Sequence, residues 1–148
     1  MVLPQRILFV CLGNICRSPA AEGVVRAMAA GRGLVLDSCG TGGWHVGEPP
    51  YGPMQRAARA RGYDLSDLRA RQFVPQDFAR FDLILCMDAE NLRAVEAQRP
   101  AGAGAVARLF TDFAPERGAT EVRDPYYTHD FDGALDLIEA CAAGLLDS

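Results

Sequence analysis

The chain has 148 residues, 49% of them hydrophobic, and a net charge of −4, a size and composition that fit one domain spanning 1–148 around one sizeable core. That acidity argues against nucleic acid or an anionic membrane as the main partner, and no apolar run approaches the roughly 20 residues that span a bilayer. All 15 basic residues are arginine, which excludes a lysine-dependent phosphate loop and Schiff-base chemistry.

Residues 6–10 read as a buried strand between Pro4 and a glycine-containing loop, so the N-terminus opens on a strand rather than a signal peptide. Ser18 is expected as a helix cap and Pro19 as the first helical residue. Ala21, Val24, Val25 and Met28 then form a core-facing stripe that stops at Gly31 and Gly33. A second strand at 34–36 is closed by a turn at 40–43, and helices are expected at 53–61 and, briefly, at 75–79. The run 83–87 reads as a third buried strand, 89–97 as a helix, and 105–110 as a fourth strand after a break at 100–104. Segment 111–129 is long, and loops of that length in small domains are usually functional. From Asp130 a last helix places Phe131, Ala134, Leu135, Ile138, Ala142 and Leu145 on one stripe. Strands alternating with helices predict an α/β fold, a four-stranded parallel twisted sheet with helices on both faces and a phosphate-binding loop after the first strand. A ligand then belongs beyond the carboxyl ends of the strands.

The densest chemistry lies there. Cys11 and Arg17 stand six positions apart, with Leu12, Gly13, Asn14, Ile15 and Cys16 between them and Ser18-Pro19 following. Backbone N–H groups of a short loop entering a helix converge on one point and carry the helix's partial positive charge, which makes the loop an anion cradle. The same donors favour a cysteine thiolate at its base, and an arginine fork can grip two phosphate oxygens at once. Asn14 tolerates the left-handed backbone such loops need. Far downstream, Asp124-Pro125-Tyr126-Tyr127 offers a carboxylic acid to protonate a departing phenoxide, beside two rings able to wall an aromatic substrate.

Cys-x5-Arg-Ser near the N-terminus and Asp-Pro-Tyr-Tyr near the C-terminus, with Trp44 and Leu85-Cys86-Met87-Asp88 between them, closely resemble the low-molecular-weight protein tyrosine phosphatases over nearly the whole chain. The resemblance implies a phosphotyrosine protein or an aryl phosphate as substrate, and no cofactor or metal. It makes Cys11 the nucleophile, Arg17 the phosphate ligand, Asp124 the general acid and base, and Ser18 the support of the thiolate. Asn14 would order the cradle, residues Leu12, Gly13, Ile15 and Cys16 would complete the substrate loop, Tyr126 and Tyr127 would form the aromatic wall, and Trp44 the opposite rim. One departure is Leu68, where the family often has a histidine that orients the cradle asparagine.

Three rivals share features with this reading. A thioredoxin-coupled arsenate reductase needs two further relay cysteines; Cys86 can supply one, but residues 87–93 supply no second. A protein-arginine phosphatase usually has threonine at the position of Ile15 and lacks the tyrosine wall. A catalytically silent phosphopeptide-binding module has no need of Cys11, Arg17 and Asp124 together. Five cysteines, an odd number, suggest reduced thiols and a cytoplasmic protein, with Cys39, Cys86 and Cys141 in the core. Cys16 reads either as packing or as a redox lock for Cys11. His45 and His129 are too far apart for a short-range metal pattern, and the glycine-alanine run at 102–107 precedes a strand, which rules out a dinucleotide fingerprint. Arginines 56, 59, 61, 69 and 71 are expected on a solvated surface.

Overall fold

Short apolar runs bounded by turn formers become the four strands of the computed structural model, which describes residues 5–148: β1 (Arg6–Cys11), β2 (Val35–Gly40), β3 (Leu83–Cys86) and β4 (Val106–Leu109). Pro4, expected to bound β1, lies outside the described residues. All pairings are parallel, in the order β2-β1-β3-β4, so the chain leaves β1 for one side and returns to its other side at β3. Ligand crevices of open α/β sheets form at such a reversal, and Cys11 is the last residue of β1.

Alternation along the central strands feeds two apolar layers. Ile7, Phe9, Leu83 and Leu85 face one side, where they pack with helices α1 (Arg17–Met28) and α6 (Phe131–Leu146). Leu8, Val10, Ile84 and Cys86 face the other, against Phe73, Phe81, Phe78 of the short α3 (Asp77–Arg80) and Val95 of α4 (Ala89–Glu96). The sheet is thus covered on both faces, as expected of parallel strands joined by crossover helices. Between β2 and α3 the chain adds α2 (Gly52–Arg59), which packs against α6. Each fully buried large side chain contributes roughly 1.5–3 kcal/mol, and Phe9 adds an edge-on contact with Phe110 at 5.4 Å between centroids.

Four local expectations are corrected. Helix α1 begins at Arg17, so Ser18 is its second residue and caps nothing; Cys16 occupies the cap position without a side-chain bond, because the Ser18 hydroxyl is engaged inside the cradle. Met28 is exposed, and Ala29 takes the buried place on the stripe. Strand β2 continues to Gly40 rather than ending at Leu36, since Ser38, Cys39 and Gly40 pair with Phe9, Val10 and Cys11. Segment 111–129 is not structureless: it holds two 3-10 turns and the short helix α5 (Pro125–Thr128), and Val122 anchors it by donating its N–H to the Met87 carbonyl at 2.8 Å.

Candidate active site

In the loop between β1 and α1, three carbonyls are taken up by neighbouring backbone and the Asn14 N–H turns towards the Cys11 sulfur. Cys11 and Leu12 carbonyls accept from Thr41 and Gly42 N–H at 2.9 Å each, and the Ile15 carbonyl accepts from Tyr51 N–H at 2.7 Å. Asn14 adopts φ of 57°, a left-handed conformation that asparagine reaches at modest cost, and its N–H comes within 3.2 Å of Cys11 Sγ. The Ser18 hydroxyl lies 3.0 Å from the same sulfur. Both contacts can donate to a sulfur anion at the floor of the loop.

Asn14 itself is buried and fully bonded: its Nδ2 donates to Ser18 Oγ at 2.8 Å and to Ser38 Oγ at 3.0 Å, while its Oδ1 accepts from the Arg71 backbone N–H at 3.0 Å. The support put in doubt by Leu68 therefore comes from Ser38 and Arg71. Arg71 is not a free surface arginine as expected, because its guanidinium holds Asp37 at 2.9 Å and both oxygens of the buried Asp77 at 3.1 Å. Arg61 likewise pairs with Asp132, Asp136 and Glu139.

Arg17 is buried beside the loop. Its Nη1 donates to Asp88 Oδ2 at 2.7 Å and to the Val122 carbonyl at 3.0 Å, Nη2 lies 3.5 Å from Asp124 Oδ2, and among the described residues Nε has no partner. Burial alone lowers its proton affinity, but Cys11, Asp88 and Asp124 outweigh burial and hold it above the ordinary arginine value. The fork is thus held firmly through Nη1 and more loosely through Nη2, and its Nε remains a donor that an oxyanion can use.

These groups open into one cavity of about 280 Å³. Cys11, Cys16 and Arg17 form its floor with Leu12, Gly13 and Ile15, while Trp44 and His45 line it together with Asp124, Tyr126 and Tyr127. Asp124 sits at the start of α5, where its Oδ1 accepts the Tyr126 N–H at 3.1 Å, so its ordinary role as a turn residue and its place in the cavity coexist. Tyr126 stacks at a tilt on Tyr51 at 5.1 Å and edge-on to Tyr127 at 5.3 Å, while Trp44 is 72% exposed at the rim.

A family model described as low molecular weight phosphotyrosine protein phosphatase matches residues 6–148. The chain belongs to that family. A low molecular weight protein-tyrosine-phosphatase of Bacillus subtilis is 40% identical over 96% of this chain and 94% of its own. Among solved structures, a protein tyrosine phosphatase from Entamoeba histolytica superposes with a TM-score of 0.90 at 35% identity, covering 97% of this chain and 95% of that one. A Drosophila arginine phosphatase superposes with a TM-score of 0.88 at 29% identity, covering 95% of each chain.

Of the site residues the family resemblance names, Asn14 and Ser18 lie beneath the cavity rather than on its wall, and the others line it. His45 also lies on the wall, with Nδ1 2.9 Å from Glu48 Oε2, a place that no motif or spacing around this lone histidine signals. Asp88, Ser38 and Val122 were also missed as partners of the loop. Cys86 is buried on the opposite face of the sheet from Cys11, which removes it as a relay thiol. Burial pushes the Cys39, Cys86 and Cys141 thiols up, consistent with inert core residues.

Proposed function

We propose that the chain is a single-domain protein tyrosine phosphatase that hydrolyses phosphotyrosine in proteins, or aryl phosphates, through a phosphocysteine. The observation that carries the reading is the convergence of Cys11 Sγ, the Arg17 fork and the Asp124 carboxyl on one aromatic-walled cavity. The Cys11 thiolate attacks phosphorus while Arg17 and the loop N–H groups hold the equatorial oxygens, and the bond to the tyrosine oxygen breaks. Asp124 gives that oxygen its proton. Water then attacks the phosphocysteine as the Asp124 carboxylate takes its proton, releasing phosphate and restoring the thiolate.

Ile15 on the cavity floor and the two tyrosines on its wall favour a flat aryl group over a guanidinium phosphate. A thiolate nucleophile and five free cysteines persist most readily in a reducing compartment, which supports a cytoplasmic setting. Cys16 lines the same floor as Cys11, and this supports a redox lock in which peroxide oxidises Cys11 to a sulfenic acid, then Cys16 displaces water and forms a disulfide. Burial, then Asp124 and Cys11, push the Cys16 thiol up in the reduced chain.

Parallel assays of phosphotyrosine and phosphoarginine peptides test the assignment, with Cys11→Ser as the control. Hydrolysis of phosphotyrosine alone, abolished in Cys11→Ser while the variant still binds phosphopeptide, is the expected result. Preference for phosphoarginine, or substantial turnover by Cys11→Ser, overturns it.

A further inference from the structure

Glu22 is a buried acid in the middle of α1, 6% exposed, and among the described residues it makes no salt bridge. Burial without a cation is costly for a carboxylate, and an apolar residue at that place avoids the cost. Among the described residues, the one hydrogen bond that engages its side chain comes from the Ser38 hydroxyl, which donates to Oε1 at 2.7 Å. Ser38 is also the hydroxyl that accepts from Asn14 Nδ2.

The bonds have a fixed polarity. An amide nitrogen only donates, so the two hydrogens of Asn14 Nδ2 go to Ser18 Oγ and Ser38 Oγ. Ser18, having accepted, gives its hydrogen towards Cys11 Sγ at 3.0 Å or the Cys39 carbonyl at 3.3 Å. Ser38, having accepted, needs an acceptor of its own, and Glu22 is that acceptor. Leu68 brings no hydrogen-bonding side chain to the network. Without the carboxyl, Ser38 keeps a buried hydrogen unpaired or turns it elsewhere, and turning removes the lone pair that holds Asn14. Asn14 is the residue in the left-handed conformation whose N–H meets the sulfur, so its side-chain bonds resist the relaxation that moves that N–H away.

We propose that Glu22 is a positioning residue for Cys11, acting through Ser38 and Asn14 on the donors that face the sulfur. The proposal rests on Cys11 being the nucleophile. Burial pushes the Glu22 carboxyl up to about 7; the Ser38 hydroxyl and Arg26 oppose the shift, and Asp37 on β2 and Asp67 on the segment after α2 add to it. Arg26 is itself drawn to Asp67, at 3.7 Å, and to the Asp64 carbonyl. Charged or neutral, the carboxyl keeps an oxygen that accepts from Ser38, and so does a glutamine.

The test compares wild type, Glu22→Ala and Glu22→Gln at a temperature well below unfolding. Two rates are read: kcat/KM for p-nitrophenyl phosphate, and iodoacetate alkylation of Cys11 followed by mass spectrometry of its peptide. Glu22→Ala is expected to lower both by about tenfold, with the inhibition constant of inorganic phosphate changed less than about threefold, because Arg17 still holds the anion. Glu22→Gln is expected to recover most of both rates. A folded Glu22→Ala with both rates within about twofold of wild type overturns the proposal, as does a Glu22→Gln as impaired as the alanine variant. If Glu22→Ala does not fold, Ser38→Ala breaks the same connection, and the same tenfold and twofold results decide. Failure of the phosphatase reading is separately visible, as wild type that hydrolyses no aryl phosphate while its Cys11 alkylation still answers to Glu22.

Discussion

Gly40→Ala tests how tightly the end of β2 braces the cradle. A Cβ on Gly40 falls 2.7 Å from the Leu12 carbonyl oxygen, 3.0 Å from the Gly13 carbonyl carbon and 3.1 Å from the Asn14 nitrogen. All three are backbone atoms, so no side-chain rotation relieves the overlap. Optimal non-bonded separations begin near 3.5 Å, which asks for a displacement of roughly 0.4–0.8 Å. Gly40 cannot retreat, because its N–H is bonded to the Arg71 carbonyl at 2.9 Å and its carbonyl to the Phe73 N–H at 2.7 Å. The cradle moves instead. Overpacking of this kind costs about 1–3 kcal/mol, which lowers Tm by roughly 2–10 °C in a chain of this size. A displacement approaching 1 Å at a reacting centre lowers kcat/KM by roughly tenfold to a hundredfold. Thermal denaturation and aryl phosphate kinetics measure both, and Gly104→Ala is the control, since a Cβ there meets nothing within 4 Å. A Gly40→Ala protein that matches the control in Tm and kcat/KM refutes the argument that β2 holds the loop in place.

Asp124→Asn is expected to slow phenyl phosphate and phosphotyrosine far more than p-nitrophenyl phosphate, whose leaving group departs without a proton; equal losses count against general acid catalysis. Cys16→Ser is expected to leave unoxidised activity largely intact but to make peroxide inactivation harder to reverse with thiols, and peptide mapping that finds no Cys11–Cys16 linkage contradicts the lock. Glu22 makes stability depend on pH: between its ordinary 4.5 and about 7 the folded chain keeps a proton that the unfolded chain has lost. This contribution is full below pH 4.5, falls as pH rises and levels off above 7, a loss of roughly 3 kcal/mol at most. Glu22→Gln is expected to flatten that fall in urea unfolding at pH 5 and pH 8, and an unchanged difference between the two pH values speaks against a buried titrating carboxyl.

The legible part of the site was the part whose geometry is local. Strand, loop and helix follow one another within residues 6–28, so the spacing from Cys11 to Arg17 and the left-handed tolerance of Asn14 carried the cradle directly. Asp124 was legible because Asp before Pro announces a turn, and a turn opposite the strand ends is where an acid is useful. The two-faced sheet followed from the buried runs of β1 and β3. What the sequence hid are contacts between residues far apart along the chain: Asn14 to Ser38, Asn14 to Arg71, Arg17 to Asp88 and Arg17 to Val122. No local period encodes them. Asp88 is also camouflaged by a second job, since its Oδ1 caps α4 by accepting the Asn91 N–H at 2.8 Å while Oδ2 holds Arg17.

One signal was within reach. Ser18, Glu22 and Arg26 stand four apart and so share a face of α1, while Ala20, Ala21, Val24 and Val25 occupy the core. A row that passes from serine to carboxylate to arginine reads as a solvent-facing stripe, and that is how such a row usually ends. Here only Arg26 reaches solvent; Ser18 and Glu22 are buried, which turns the polar row inward along the first half of the helix that follows the cradle. Serine at the first of those positions already served the thiolate in the family resemblance. Its helical neighbour one turn on, Glu22, holds the rest of the network through the buried bond it accepts from Ser38.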